Sequence, residues 1–568
     1  MVMTPNYVPG TTNLPGLILL IILLAVPLAF LVSIGLLRLY RRAVIRAMHT
    51  RANSSSTAEF VPAETAIPPQ EAVKSTLNIV VLDAGSAMTP ESAGERLYAD
   101  LLRAPWRAAA LYVLAGLCYA AVMVLAFLVA SKIEFLPLRF ITFLWMYAWP
   151  AVITLNLVAA ATWRTRLMFS SAYFVILAAL ATIAAVKFPG FVGGQIILLW
   201  LFVNLPASVL LLAFLNRRIR AVGPLVLIFM LLAVTGANLS LLIAGNNSSI
   251  ARLGTAVGFD GFWIFIGVVV IGFAIFGLAG WLILQGIVNG YKWKKMSDQS
   301  ITLDSIWLLY GVFQSIDLIF EDVGWLFAGI LAFIVYKTVV SLGFSLMSNK
   351  AYLSRKGIHL LLLRVFSLGK RSEHLFDLLA IYWRYIGSIR LITGPDLATT
   401  TVAPHEFLDF LSGKLARRFI DNSQTLDLRI SEMELAQDHD GRFRVNDFFC
   451  RADTWRMVLS RLVGESDVAL MDLRGFTPRN SGCIFEIGEL INVMPLGRVV
   501  LIIDDTTDEL FLREAIQEAW KQMSPTSPNS LSTPGLLRLF RLTGLRDHEL
   551  RKLLRILCEA ANSTEAMC

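Results

Sequence analysis

Apolar residues along this chain follow two regimes. In the first they run almost unbroken for about 20 residues at a time, the length that crosses a hydrocarbon core. These runs are Leu17 to Leu37, then 108–131, 137–161, 167–187, 194–215, 222–244, 261–288, 302–320 and 324–347. The pattern predicts an α-helical polytopic bundle of about nine spans. In the second regime, beyond Lys350, the apolar runs are short and separated by amphipathic, helix-period stretches. Ile358 to Val365 (IHLLLLRV), Ser388 to Ile392, Val468 to Met471 and Arg498 to Ile503 read as buried strands. Ser372 to Ile386, Pro404 to Ile420, Asp453 to Val463 and Asp508 to Met523 read as helices, and Leu426 to Ile430 and Phe443 to Val445 as further short strands. Strands that are apolar throughout and separated by helices predict an α/β domain with a parallel sheet covered on both faces.

Charge orients the first regime. Residues 1–14 hold no Lys or Arg, whereas Arg38, Arg41, Arg42, Arg46 and Arg51 follow the first run. This predicts an uncleaved anchor in the plasma (inner) membrane with the N-terminus outside. The same rule puts Arg164, Arg166, Arg217, Arg218, Arg220, Lys292, Lys294, Lys295, Lys350, Arg355 and Lys356 on cytosolic loops, and the C-terminal domain in the cytosol. The run 302–320 is the most polar, with Asp304 and Asp317. Counted from the turn at Glu321 and Asp322 at about 1.5 Å per residue, Asp304 and Lys337 reach depths of roughly 27 and 22 Å. They are expected to meet as a helix-hairpin salt bridge; the functional alternative is an ion path. Asn156, Asn204 and Asn238 are candidate interhelical hydrogen-bond partners. Trp145 to Arg166 and Trp200 to Arg220 each combine a Trp, a proline (Pro150 or Pro206) and a basic end, a candidate internal repeat.

Composition sharpens the division. The chain has 568 residues, 56% hydrophobic, with mean hydropathy +0.64, too apolar for an ordinary soluble protein. Its net charge of +8 lies largely beside the spans, so it reads as topology signal and lipid headgroup contact, not nucleic-acid binding. Cys450, Cys483 and Cys558 have no paired spacing, which argues against a disulfide framework. The chain thus divides into an anchor with basic flank (1–51), a cytosolic connector (52–103), a helical membrane domain (104–348), a cytosolic α/β domain (349–523), and a linker with a basic amphipathic helix (524–568). In the connector, Leu77 to Leu82 reads as a strand and Glu91 to Leu102 as a helix. The last helix, over Leu536 to Ala560, would lie on the inner leaflet or pack back on the domain.

The candidate chemistry lies in Ser466 to Leu490, SDVALMDLRGFTPRNSGCIFEIGEL. It reads as a buried strand ending at Asp472, a polar loop broken by Gly475, Pro478, Asn480 and Gly482, and a helix from Cys483 with Glu486 in its first turn. In a parallel sheet the strand ends Phe366-Ser367, Asp396, Asp472 and Asp504-Asp505 gather at the carboxyl edge, where crevices form. Arg474 and Arg479 are loop cations, either phosphate ligands or solvated. No Walker loop, hydrolase elbow, kinase motif or metal spacing is visible, so no cofactor is expected.

SDVALMDLRGFTPRNSGCIFEIGEL resembles the segment of TIR domains and nucleoside deoxyribosyltransferases in which a strand and polar loop lead into a helix bearing an acidic residue. LLLLRVFS is similar to the first strand of TIR domains, and DTWRMVLSRLVGESD to the helix before the acidic motif. The resemblance covers about residues 358–523. It implies Glu486 as the catalytic acid in cleavage of an N-glycosidic bond of NAD or a nucleoside. Asp472, Phe366 and Ser367 would line the pocket, and Asp396 and Asp504 join them as substrate-binding candidates from their place at the strand ends. It also implies self-association. The resulting reading is a membrane signalling or defence protein that binds or hydrolyses a nucleotide. The alternatives are a non-enzymatic receptor or scaffold, and a transporter with a regulatory cytosolic domain.

Overall fold

The structure, a computed structural model, describes residues 14–50, 77–83, 92–160, 162–187, 193–214, 222–246, 248–319, 321–348, 357–365, 369–394, 402, 404–530 and 535–562. In chain order the first helices are α1 (Leu14–His49), α2 (Ser92–Ala130), α3 (Pro137–Tyr147), α4 (Trp149–Val158), α5 (Trp163–Lys187), α6 (Gly193–Phe214), α7 (Gly223–Asn246), α8 (Ser248–Ala256), α9 (Gly261–Lys292), α10 (Asp298–Ile319) and α11 (Phe327–Ser348). Strands β1 (Leu77–Leu82), β2 (Leu360–Arg364), β3 (Ile389–Ile392), β4 (Phe419–Ile420), β5 (Val445–Cys450), β6 (Val468–Asp472), β7 (Val499–Ile503) and β8 (Gly535–Arg541) form the sheet. The later helices are α12 (Lys370–Trp383), α13 (Pro404–Leu411), α14 (Ser423–Ser431), α15 (Trp455–Glu465), α16 (Ser481–Val493), α17 (Glu509–Lys521) and α18 (Asp547–Asn562). The chain divides into two compact units, 1–39, 108–350 and 402–408 in one, and 40–107, 351–401 and 409–568 in the other.

Among the described residues, seven helices are long and apolar enough to cross a membrane, and α3 with α4 makes an eighth if the bent pair is one span. The expected span at 302–320 is not among them. It is α10, and its polarity has a physical reason: α10 is buried between other helices, so its polar groups face protein. Gln314 accepts a hydrogen bond from Tyr119 Oη (2.9 Å) and donates to Asn204 Oδ1 (3.1 Å). Tyr310 Oη pairs with Ser208 Oγ (2.8 Å), and Trp307 Nε1 donates to Thr154 Oγ1 (3.1 Å). Lys337 Nζ of α11 donates to Asp304 Oδ2, the salt bridge expected from their depths. The side chain of Asp317 lies outside the described residues.

The bend between α3 and α4, 44°, follows from Pro150, which has no N–H for the Met146 carbonyl. Asn204 Nδ2 (3.2 Å) and Tyr173 Oη (3.2 Å) donate to that oxygen instead. Asn156 also bonds across helices, to Ser170 Oγ (3.3 Å), whereas Asn238 turns back to its own helix at Val234 O (2.8 Å). Pro206, the counterpart in the candidate repeat, sits inside an unbroken α6. Helices α10 and α11 approach so closely at Gly311 and Gly329 that a Cβ on Gly329 would collide with the Gly311 carbonyl oxygen. Backbone cannot give way as a side chain can. Gly329→Ala is therefore expected to destabilise this unit by about 1–3 kcal/mol, read as a lower unfolding temperature in detergent.

Among the described residues the second unit holds one sheet, every strand parallel to its neighbours, in the order β1-β8-β7-β6-β2-β3-β5-β4. Its central five, β3-β2-β6-β7-β8, follow the 2-1-3-4-5 order of doubly wound sheets. Leu361, Leu363, Ala469, Met471, Leu501 and Ile503 pack in one core layer with buried side chains of α15, α16 and α17. The intervening residues, Arg364 and Asp472 among them, point to the other face. There α18 packs on β6 and β7, with Tyr382 of α12 close to Asp547 and Arg551 of α18.

Four sequence expectations change here. The helix expected over Pro404 to Ile420 ends at Leu411 just before Gly413, which adopts φ +71°; a short 3-10 turn, Leu415–Arg418, and β4 take its last residues. Leu426 to Ile430 lies in helix α14, whose start is fixed by the reciprocal Asn422–Thr425 capping box. The strand expected at Phe443 to Val445 begins only at Val445. Leu536 to Ala560 is not one helix: β8 pairs with β7 and β1, and α18 follows after Leu545, which adopts φ +52°. β1, from the connector, pairs with β8 from Leu77↔Gly535 to Leu82↔Phe540. The N-terminal part of α2 lies along α18, where Arg555 pairs with Glu95.

Candidate functional site

The order of the strands marks the site. In a doubly wound sheet the crevice opens at the carboxyl ends of the first and third core strands, where the chain switches direction of winding. Here these are β2 and β6, and their last residues, Arg364 and Asp472, are register neighbours. The loop after β6 leads into α16, which carries Cys483 and Glu486 on the face it buries.

Glu486 is only 4% exposed. Its Oε2 has no hydrogen-bond partner among the described residues. Burial pushes its carboxyl up to about 8 from the ordinary 4.5, against the opposing pull of the Arg364 guanidinium. Burial, with help from Glu486 and Asp472, likewise raises the Cys483 thiol, so Cys483 is a neutral wall and not a thiolate.

The other expected residues divide. Asp472 is 1% exposed and is clamped by Arg474, whose Nε donates to Oδ1 (2.8 Å) and Nη2 to Oδ2 (2.6 Å). Arg474 is thus a buried partner and not a solvated loop cation; it also donates to Arg371 O (3.2 Å). Asp504 ends β7 and is paired with Arg371 of α12. Burial raises its carboxyl, but hydrogen bonds from Thr506 and the Arg371 charge outweigh this and hold it below the usual carboxylate range. Phe366, Ser367 and Asp396 lie outside the described residues.

The structure therefore brings Glu486 together with Arg364 and Asp472, and sets Asp504 one strand further along the same edge. Sequence reasoning passes over Arg364, Arg371, Ser372 and Thr393. Arg364 carries a legible signal, a single cation inside an otherwise apolar strand, LLLLR. Ser372 and Thr393 carry none, since hydroxyls at helix starts and strand ends are common. Among the described residues no three His, Cys, Asp or Glu side chains gather as a metal site.

Chemically, the arrangement offers one buried carboxyl with an open oxygen, a guanidinium near enough to act on it electrostatically, and a second carboxylate already neutralised. That is a site able to meet a developing positive charge. No family model, curated protein or solved structure matches this chain.

Proposed function

We propose that the α/β unit is a TIR-like domain that binds a nucleotide such as NAD and cleaves its N-glycosidic bond, with Glu486 as the catalytic carboxylate. It belongs to a multi-pass protein of the plasma membrane, read here as nine spans with the N-terminus outside and the α/β unit in the cytosol. The domain acts in signalling or defence and works on self-association. One observation carries the reading: Glu486 is buried with an unpartnered oxygen at the switch point of a doubly wound sheet.

Breaking an N-ribosyl bond builds oxocarbenium character at the sugar, which a nearby carboxylate stabilises by charge or by covalent capture. In the resting site the carboxyl holds its proton up to about pH 8. A ligand whose leaving base is a pyridinium brings a positive charge beside it and favours the ionised form. A neutral nucleoside brings none. Cationic N-glycosides are therefore the better substrates of this site.

The test incubates the purified full-length chain, at low and high concentration, with NAD and with nucleosides, and follows free base by mass spectrometry. Base release from NAD is expected. Its kcat/KM should rise with pH through an apparent pKa near 8, because the free enzyme must shed the Glu486 proton. No base released at any concentration would sink the reading; a profile flat from pH 6 to about 9 would remove Glu486 from it.

A further inference from the structure

We infer that the first turn of α12, with the Ser372 hydroxyl in it and the Thr393 hydroxyl at the end of β3, binds a phosphate group of the ligand. This rests on the reading that the crevice holds a nucleotide, and it singles out phosphorylated ligands over neutral nucleosides.

Two independent observations meet here. The first is the helix start. Gly369 is the N-cap residue at φ +52° and supplies no side-chain cap. The N–H groups of Lys370, Arg371 and Ser372 have no acceptor among the described residues. A helix end with open N–H groups and a cationic first turn favours an anion. The second is a pair of orphaned hydroxyls. Ser372 Oγ and Thr393 Oγ1 are buried, both residues 3% exposed, and neither has a hydrogen-bond partner among the described residues. A buried hydroxyl left unpaired is costly, so two of them at the carboxyl edge of the sheet, one in the first turn of α12 and one at the end of β3, mark a place that a ligand completes.

The topology places these groups on one side of the sheet. Ile392 packs in the layer of α15, α16 and α17, so Thr393, the next residue, faces the other side, as Arg364 does on the adjacent strand. Arg364 Nη1 reaches toward that strand end, 3.4 Å from Ile392 O. Ser372 comes to the same edge on the first turn of α12. The carboxylates nearby are Asp504, answered by Arg371, Asp472, answered by Arg474, and Glu373 in the same first turn. An incoming phosphate thus meets Lys370, the first-turn N–H groups and the two hydroxyls, with the paired arginines behind them. Glu486 lies across the switch point on the β6 side. A nucleotide whose phosphate sits on α12 and whose sugar reaches Glu486 spans the crevice.

The experiment uses the full-length chain in nanodiscs and measures binding of inorganic pyrophosphate, ADP and adenosine by equilibrium dialysis. Pyrophosphate and ADP are expected to bind, and adenosine to bind at least about tenfold more weakly than ADP. Combining Ser372→Ala with Thr393→Val should weaken pyrophosphate by about 30-fold. Lys370→Glu, an exposed position that does not disturb packing, should weaken it by about tenfold. Restoring hydroxyls as Ser372→Thr with Thr393→Ser should recover most of the affinity, which separates lost contacts from misfolding. Absence of pyrophosphate binding, adenosine binding as tightly as ADP, or unchanged affinity in Lys370→Glu and the double variant would each overturn the site. The two ideas fail separately. Glu486→Gln should leave pyrophosphate affinity intact; if phosphate binds as stated but no base is ever released, the phosphate site stands and the cleavage reading falls. If base is released through Glu486 while the α12 variants change neither KM nor pyrophosphate affinity, the reverse holds.

Discussion

Glu486→Gln is expected to lose base release from NAD by at least about a thousandfold while making the α/β unit more stable above neutral pH. Both effects come from one feature, a carboxyl held in a dry site with an open oxygen. The amide fills the same volume but cannot ionise, so it can neither capture nor balance an oxocarbenium centre. The stability change has a definite pH window. In the folded chain the carboxyl keeps its proton up to about 8, against the ordinary 4.5 once unfolded. Between these values the folded form holds a proton that the unfolded form has released, so stability falls as pH rises through this range. Below it the group is neutral in both states and costs nothing. At about 1.4 kcal/mol per pH unit, the full loss above pH 8 is on the order of 5 kcal/mol. Gln carries no such loss. The gain of the variant should be absent near pH 4 and largest near about pH 9, followed by thermal unfolding across that range. A variant that is inactive yet no more stable at alkaline pH would mean that Glu486 is not buried as a lone carboxyl.

The second large effect is expected far from the crevice, in the segment joining α1 to α2. Replacing Leu77–Leu82 by a Gly/Ser stretch removes a six-residue parallel pairing with β8 and the packing of Leu77, Ile79 and Val81 against the core. Partial burial of three aliphatic side chains is worth about 1 kcal/mol each, and the ladder hydrogen bonds about 1 kcal/mol apiece. Together these terms are comparable to the stability of a whole domain, about 5–15 kcal/mol. Hydrogen exchange should show protection lost first in β8 and α18, whose partners Asp83 and Glu95 lie in or just beyond the same segment. Arg541 at the end of β8 would lose Asp83 and keep Asp505 and Glu509. For the same reason a fragment of residues 350–568 should be poorly soluble: β8 becomes an unpaired edge. Unaltered exchange in β8 would show that β1 is an ornament on the sheet.

How much of this is legible in the sequence depends on the range of the interactions. β2, β6 and β7 are legible because a doubly buried strand is a short apolar run that ends where the sheet ends. Glu486 is legible because the change from strand to helix period frames it. β8 is not, since LLRLFR fits a helix face as well as a strand, and only its pairing with β7 and β1 decides. The helix of α14 is missed because its capping box outweighs the apolar pattern of LDLRI. Arg371 stays hidden for another reason: it matters through Asp504 on another element, which no local pattern reveals, whereas Arg474 is visible as a loop cation and only its clamp on Asp472 is not. In the helical unit, α10 misleads a hydropathy reading because its surroundings are protein on most sides.

The pairing of β1 with β8 also has a temporal side. About 460 residues separate the two strands, so a ribosome adding 5–20 residues each second delivers β8 roughly 25–90 seconds after β1. For that interval LNIVVL is an apolar strand without its neighbour, while the helices of the other unit are being made. The α/β unit can close only after β8 has been made, which makes its completion a signal that the whole preceding helical chain has been produced.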